Sequence, residues 1–136
     1  MRRILLIVGV ITLLAGVGWI YQTVSGMSAN ARTGQFNKEV DDLFHALQKY
    51  KEVVGTYPMG SNADVSKALK GKNSKNLIIL VGSKENLNDK GEYVDPWGTP
   101  FRIYFSGDGV LIRSAGPNKR FDDSTVLNSD DYYRSN

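Results

Sequence analysis

The stretch QFNKEVDDLFHALQKYKEVV, residues 35–54, decides the fold of this chain. Its apolar residues recur at alternating spacings of four and three positions, which places them along one face of a helix. Gly55 suits the left-handed position after a helix end, and Pro58 prevents the helix from continuing. The pattern therefore predicts an amphipathic helix over residues 35–54 that must pack one face on another element. That face consists of Phe36, Val40, Leu43, Leu47, Tyr50 and Val54.

Two β-forming runs later in the chain predict the surface on which this helix packs. The runs FRIYF at 101–105 and VLIRS at 110–114 are rich in β-branched and aromatic residues. The pair Asp108-Gly109 between them is typical of a hairpin turn. Because a two-stranded hairpin alone is marginally stable, a third strand or a short helix must complete it. We therefore predict an α+β domain in which the amphipathic helix packs on a small antiparallel β-sheet.

The four residues Asp95-Pro96-Trp97-Gly98 predict a tight turn before the hairpin. Asp95 can accept hydrogen bonds from nearby backbone N–H groups, Pro96 has φ already set, and Gly98 fits the fourth position of a type I turn. We expect Trp97 to be a core residue that covers this turn. We expect Asp95 to stabilise the turn rather than act as an acid.

Three other segments have weaker patterns. Asn62 is expected to cap a short helix over residues 63–70. The apolar run at 76–81 is expected to be buried, either as a strand or as a turn of helix, because periodicity does not separate the two. The tail, residues 119–136, is expected to be an ordered loop.

The residues before the helix predict a membrane anchor. Residues 4–24 carry no charge, and 21 residues of helix measure about 31 Å, which matches a hydrocarbon core of about 30 Å. Arg2 and Arg3 precede the run, which predicts a cytoplasmic N-terminus, and Trp19 and Tyr21 lie near the other end, where amphipathic rings favour the interface. This interpretation divides the chain into an anchor at 1–24, a polar linker or helix continuation at 25–34, and a globular domain at 35–136.

A cleaved signal peptide is the alternative interpretation of the same segment. Ala29-Asn30-Ala31 is similar to a signal peptidase site. The apolar run is longer than the usual hydrophobic region of a signal peptide, about 7–15 residues, and this favours a retained anchor. Both interpretations place the globular domain on the far side of the membrane.

Composition excludes several classes of function. The chain of 136 residues is long enough for one domain. It contains no cysteine and a single histidine, so thiolate metal sites and multi-histidine metal sites are excluded. The net charge is +3, but without Arg2 and Arg3 there are 15 basic residues against 14 acidic ones, which does not favour a nucleic-acid partner. His45 is expected on the helix surface, and no nucleophile motif accompanies it, so we expect neither an enzyme nor a small-molecule substrate.

The order of these features resembles the major pseudopilin family of the type II secretion system. The features are an apolar N-terminal helix, an amphipathic helix followed by Tyr57-Pro58, the DPWG turn at 95–98, a hairpin, SAGPN at 114–118, and then paired aspartates. The resemblance implies a pilin-like α+β fold, a periplasmic domain held by a single-pass helix in the bacterial inner membrane, and a structural role in protein secretion. Its implied partners are the membrane and secretion-system or pseudopilus subunits, including copies of itself.

One family motif is missing from this chain. The prepilin peptidase signature contains a glutamate, whereas the nearest stretch here, residues 9–14, is GVITLL, and no glutamate precedes Glu39. The chain therefore resembles a divergent member with an uncleaved anchor.

The resemblance also implies calcium in the C-terminal loop. In the family this ion is held by aspartates and backbone carbonyls, which are the oxygen ligands that calcium prefers. Asn118 occupies the position of the first aspartate. The later pair matches either Asp122 and Asp123 or Asp130 and Asp131. The alternative function is a small secreted or periplasmic calcium- or ligand-binding module with a cleaved signal peptide.

Overall fold

The computed structural model describes residues 30–80, 86–122 and 129–136, and the unit Gln35–Asn136 contains the elements that matter here. Helix α1 covers residues 30–54 of the described chain. It ends where Gly55 adopts a φ of 96° and donates its N–H to the Lys51 carbonyl oxygen at 2.8 Å. This is the left-handed helix end that the sequence predicts.

The predicted face of α1 forms one side of the core. Five of its six residues are buried, with exposures of 7% or less, and Val54 packs against the same cluster as a partly buried residue. Fully burying an aliphatic or aromatic side chain stabilises the fold by about 1.5–3 kcal/mol, so burial of this face contributes several kcal/mol. The five buried residues are Phe36, Val40, Leu43, Leu47 and Tyr50.

Helix α2, Asn62–Leu69, begins one residue earlier than the sequence predicts. Its N-cap is Ser61, whose side chain and that of Asp64 form a reciprocal capping box. Asn62 is therefore not the N-cap. Its Nδ2 donates to the Phe101 carbonyl oxygen at 2.8 Å and connects α2 to the start of the sheet. The C-terminus closes with a Lys72 N–H to Lys67 carbonyl bond of 2.9 Å, as in a Schellman motif.

The sheet has three antiparallel strands in the order β1-β2-β3. They are β1, Arg102–Ser106, β2, Gly109–Ser114, and β3, Tyr132–Ser135. The hairpin between β1 and β2 is confirmed, with a two-residue turn at 107–108. The α+β arrangement of one long helix on a small antiparallel sheet is also confirmed.

Two sequence-based expectations about the rest of the chain are wrong. The tail is not only a loop, because its residues 132–135 form β3 and complete the sheet on the free edge of β2. The apolar run is neither a strand nor a helical turn over its described residues 76–80, and Leu77 and Ile78 are exposed. Its backbone is held by side-chain bonds from Asn73, which no periodicity reveals.

The predicted membrane span at 4–24, with Arg2, Arg3, Trp19 and Tyr21, lies outside the described residues. Within 30–80, 86–122 and 129–136, no helix has the length and apolar character needed to cross a membrane.

Candidate cation site and its supporting turn

The DPWG turn is held together by the carboxylate of Asp95. The Gly98 N–H donates to the Asp95 carbonyl oxygen at 2.8 Å and closes the turn. Oδ1 of Asp95 accepts from the N–H groups of Trp97 at 3.1 Å and Thr99 at 2.8 Å. The predicted turn is therefore confirmed, and Asp95 stabilises it as expected.

The same carboxylate links the turn to the end of β2. Asp95 is only 2% exposed, and its Oδ2 accepts a hydrogen bond of 2.7 Å from Ser114 Oγ. Ser114 Oγ in turn accepts from the Gly116 N–H at 3.0 Å. A buried charge is tolerated only when hydrogen bonds replace its hydration, and here three donors do so. The turn thereby positions the start of the C-terminal loop.

Gly116 lets the loop approach the tail closely. Its φ is 66°, and a Cβ at this position would lie 2.1 Å from the Asp130 carbonyl oxygen. No side chain fits in that space, so glycine is required for both its conformation and its size. The contact brings residue 130 against the loop that begins at residue 115.

Three aspartates converge at this point. One carboxylate oxygen from each of Asp122, Asp130 and Asp131 lies within 4.8 Å of the other two. The backbone N–H of Asn118 donates to Oδ2 of Asp130 at 2.9 Å. Oδ1 of Asp130 is fully buried and, among the described residues, has no hydrogen-bond partner. A buried carboxylate oxygen without a donor is costly, and a bound cation would satisfy it.

Arg113 of β2 fixes one side of this cluster. Its guanidinium donates to Oδ2 of Asp131 and to the Asp122 carbonyl oxygen. Burial lowers the pKa of Arg113, but the hydrogen bond and the charge of Asp131 outweigh it, and the net direction is upward. Arg113 also lies 5.4 Å from the ring centroid of Phe121, so its position is set on two sides. The cluster therefore carries one fixed positive charge against three carboxylates.

The acidic cluster contains aspartates from both of the candidate pairs that the sequence left open. Asp122 comes from one candidate pair, and Asp130 and Asp131 form the other. Asp123 lies outside the described residues. Asn118 contacts the cluster through donors, because its Nδ2 lies 3.4 Å from Oδ2 of Asp122 while its Oδ1 accepts from the Arg120 N–H at 2.6 Å.

Arg113, Ser114 and Gly116 are functional neighbours that the sequence analysis missed. Ser114 and Gly116 stood inside the SAGPN motif, but only the fold shows that one binds Asp95 and the other faces Asp130. Arg113 lies in a predicted strand, and no nearby residue in the sequence indicates that it pairs with Asp131. His45 is exposed on α1, as expected, and lies on a different element from the cluster.

Comparisons with known proteins give no relative for this chain. No family model, no curated protein and no solved structure matches it.

Proposed function

We propose that the chain is a structural or assembly subunit that resembles the major pseudopilin of type II secretion. In this proposal residues 4–24 anchor it in the bacterial inner membrane, and the domain at 35–136 lies in the periplasm. Its partners are other subunits of the secretion system or further copies of the chain. This role needs binding surfaces and a stable domain, and it needs no catalytic residue.

One observation carries the proposal: two of the motifs behind the resemblance, DPWG and SAGPN, are in contact through Asp95 and Ser114. DPWG and SAGPN are 19 positions apart at these residues, and each is a weak signal alone. Their hydrogen bond connects the turn at 95–98 to the end of β2 and to the start of the C-terminal loop. The packing of one long helix on a three-stranded sheet supports the same proposal.

The proposal includes a calcium ion in the C-terminal loop. Asp122, Asp130 and Asp131 would hold it, and the observation in its favour is the buried Oδ1 of Asp130, which has no hydrogen-bond partner among the described residues. Calcium binds six to eight oxygen atoms at about 2.3–2.6 Å, so three carboxylates and nearby carbonyls suit it better than a transition metal. When bound, the ion would join the loop at 116–122 to the segment before β3. Its role would be structural.

The mature N-terminus tests the anchor. Cells that express the full chain are fractionated, and the envelope-associated protein is sequenced from its N-terminus. An intact Arg2 in the membrane fraction supports the proposal. A protein that begins between Asn30 and Thr33 and is recovered in the soluble periplasm supports instead a cleaved, calcium- or ligand-binding module, which the acidic cluster also favours.

Site-specific photo-crosslinking tests assembly. A crosslinking residue at Asn37, exposed on α1, is expected to give adducts with secretion-system subunits or with a second copy. The same residue at Asp89, exposed in a loop, is the control for random collision. Equal adducts at both positions, or a free monomer without adducts, would contradict a role in assembly.

A further inference from the structure

The loop that follows α2 exposes two consecutive aliphatic side chains. Leu77 is 48% exposed and Ile78 is 67% exposed. Single apolar residues on a surface are ordinary, but adjacent ones of this exposure are a small apolar surface. The segment is close to α2, because Ile78 pairs with Lys70 in an isolated antiparallel bridge.

The side chains around this surface are basic. Residues 65–80 include four lysines and no acidic residue. Lys67 is paired with Asp64 at 3.4 Å, whereas Lys70, Lys72 and Lys75 are exposed. We name the set Lys70, Lys72, Lys75, Leu77 and Ile78 the basic-aliphatic loop.

The backbone of the basic-aliphatic loop is built around Asn73. Its Nδ2 donates to the carbonyl oxygens of Ala68 at 2.8 Å and Leu77 at 2.7 Å. Its Oδ1 accepts from the N–H groups of Lys75 at 3.1 Å and Leu77 at 3.2 Å. Four bonds from one side chain hold the loop in a defined conformation, so the exposure of its apolar residues is a property of the fold.

We propose that the basic-aliphatic loop docks the domain on an anionic phospholipid surface. Leu77 and Ile78 would enter the interfacial region, and the lysines would reach the phosphate groups with their flexible stems. Charge complementarity favours this occupant, since lysines near an anionic bilayer add attraction that salt screens. The inference does not depend on the proposed anchor, because it concerns one loop of the domain at 35–136.

The size and composition of the surface argue against a protein partner. A stable protein interface buries about 800 Å² on each side and is anchored by Trp, Tyr or Arg. Two aliphatic side chains are far smaller than that, and residues 70–80 contain none of these anchors. A bilayer needs only shallow insertion combined with charge.

The absence of cysteine permits a site-specific test on the full chain. Ser74→Cys, exposed within the loop, is labelled with an environment-sensitive fluorophore, and Ser106→Cys, exposed at the end of β1, is the matched control. Each protein is mixed with phosphatidylcholine vesicles that contain one-third phosphatidylglycerol and a nitroxide-labelled lipid. We expect quenching at position 74 to exceed quenching at 106 at least threefold. This excess should fall in pure phosphatidylcholine and in high salt.

Variants assign the effect to the loop. The triple change Lys70→Gln, Lys72→Gln and Lys75→Gln, or the pair Leu77→Ser and Ile78→Ser, should reduce the excess quenching at position 74 by more than half. A charge-matched control carries Lys38→Gln, Lys49→Gln and Lys90→Gln, all at exposed positions, and should retain it. Equal quenching at 74 and 106, or equal effects of the two triple variants, overturns the proposal. An acidic protein that binds the loop without lipid quenching at 74 also overturns it.

Discussion

The indole of Trp97 stacks on the ring of Tyr132 with centroids 5.3 Å apart and planes 16° from parallel. The turn at 95–98 and strand β3 are thereby joined through their side chains. Phe36 of α1 lies 6.4 Å from Trp97 and 5.0 Å from Tyr132, so helix, turn and third strand meet in one aromatic cluster. Such pairs contribute about 0.5–1.5 kcal/mol beyond the burial of their area.

Replacement of Trp97 should therefore destabilise the whole domain. Trp97→Ala removes a ring that is 8% exposed and leaves a cavity, and we expect a loss of about 3–5 kcal/mol in the free energy of unfolding. Trp97→Phe keeps part of the stack and should lose less. Urea unfolding followed by circular dichroism measures both, and a near-neutral Trp97→Ala would show that the cluster does not support the core.

Ser114 is expected to stabilise the domain through its hydrogen bond to Asp95. Ser114→Ala removes the donor to Oδ2 of the buried Asp95 carboxylate, and an unsatisfied buried acceptor costs about 1–3 kcal/mol. Ser106→Ala at an exposed strand position is the control and should stay within about 0.5 kcal/mol of the parent. If the two variants unfold at the same denaturant concentration, the bond to Asp95 has no stabilising role.

Ionisation of Glu39 should lower the stability of the domain as the pH rises. Burial raises the pKa of Glu39, the hydrogen bond from Gln35 opposes this shift, and the charges of Asp95 and Asp42 add to it. The folded state thus favours the protonated carboxyl. This contribution to stability is fully present below the unfolded pKa of about 4.3 and is lost as pH rises through the raised folded pKa.

Glu39→Gln tests this direction. The variant should be more stable than the parent at pH 7, by less than ~1 kcal/mol because solvent screens a partly exposed carboxyl, and equal to it at pH 4. Glu52→Gln, an exposed position on the same helix, should show no such gain. Thermal unfolding at both pH values measures the difference. A larger gain for Glu39→Gln at pH 4 than at pH 7 would reverse the sign and refute the assignment.

Calcium should raise the thermal midpoint if the acidic cluster binds it. A ligand that binds only the folded state, at 100 times its Kd, adds about 2.7 kcal/mol, which corresponds to several degrees for a domain of this size. Midpoints are compared in calcium and in chelator. Asp130→Asn should abolish the shift, while Asp89→Asn, at an exposed loop position, should retain it. An unchanged midpoint in the parent protein would remove calcium from the proposal.

Local patterns predicted the helix and the hairpin because their signals lie within a few residues. The spacing from Phe36 to Tyr50 depends only on helical periodicity, and the hairpin is indicated by the Asp108-Gly109 pair and the two runs beside it. Strand β3 was missed because its four residues have no pattern of their own and form a strand only by pairing with β2. Tertiary context decides such short strands.

The sequence predicted an acidic cluster in the C-terminal region, but it did not predict which aspartates form it. Aspartates near the C-terminus are visible in the sequence, whereas the grouping of Asp122 with Asp130 and Asp131 depends on where Arg113 and Gly116 place the chain. The exposure of Leu77 and Ile78 was not predictable either, because hydrophobicity favours burial, whereas the bonds from Asn73 hold these two residues in an exposed loop.

The order β1-β2-β3 has a consequence for folding. Arg134 of β3 donates to Asp41 of α1 at 2.6 Å across 93 positions of the chain, so complete docking of the third strand also requires the helix to be in place. Until it docks, β2 presents an open row of backbone donors and acceptors that another polypeptide could occupy. The period before this closure is when the domain is most vulnerable to strand exchange and aggregation, and variants that delay it should be rescued by lower protein concentration during refolding.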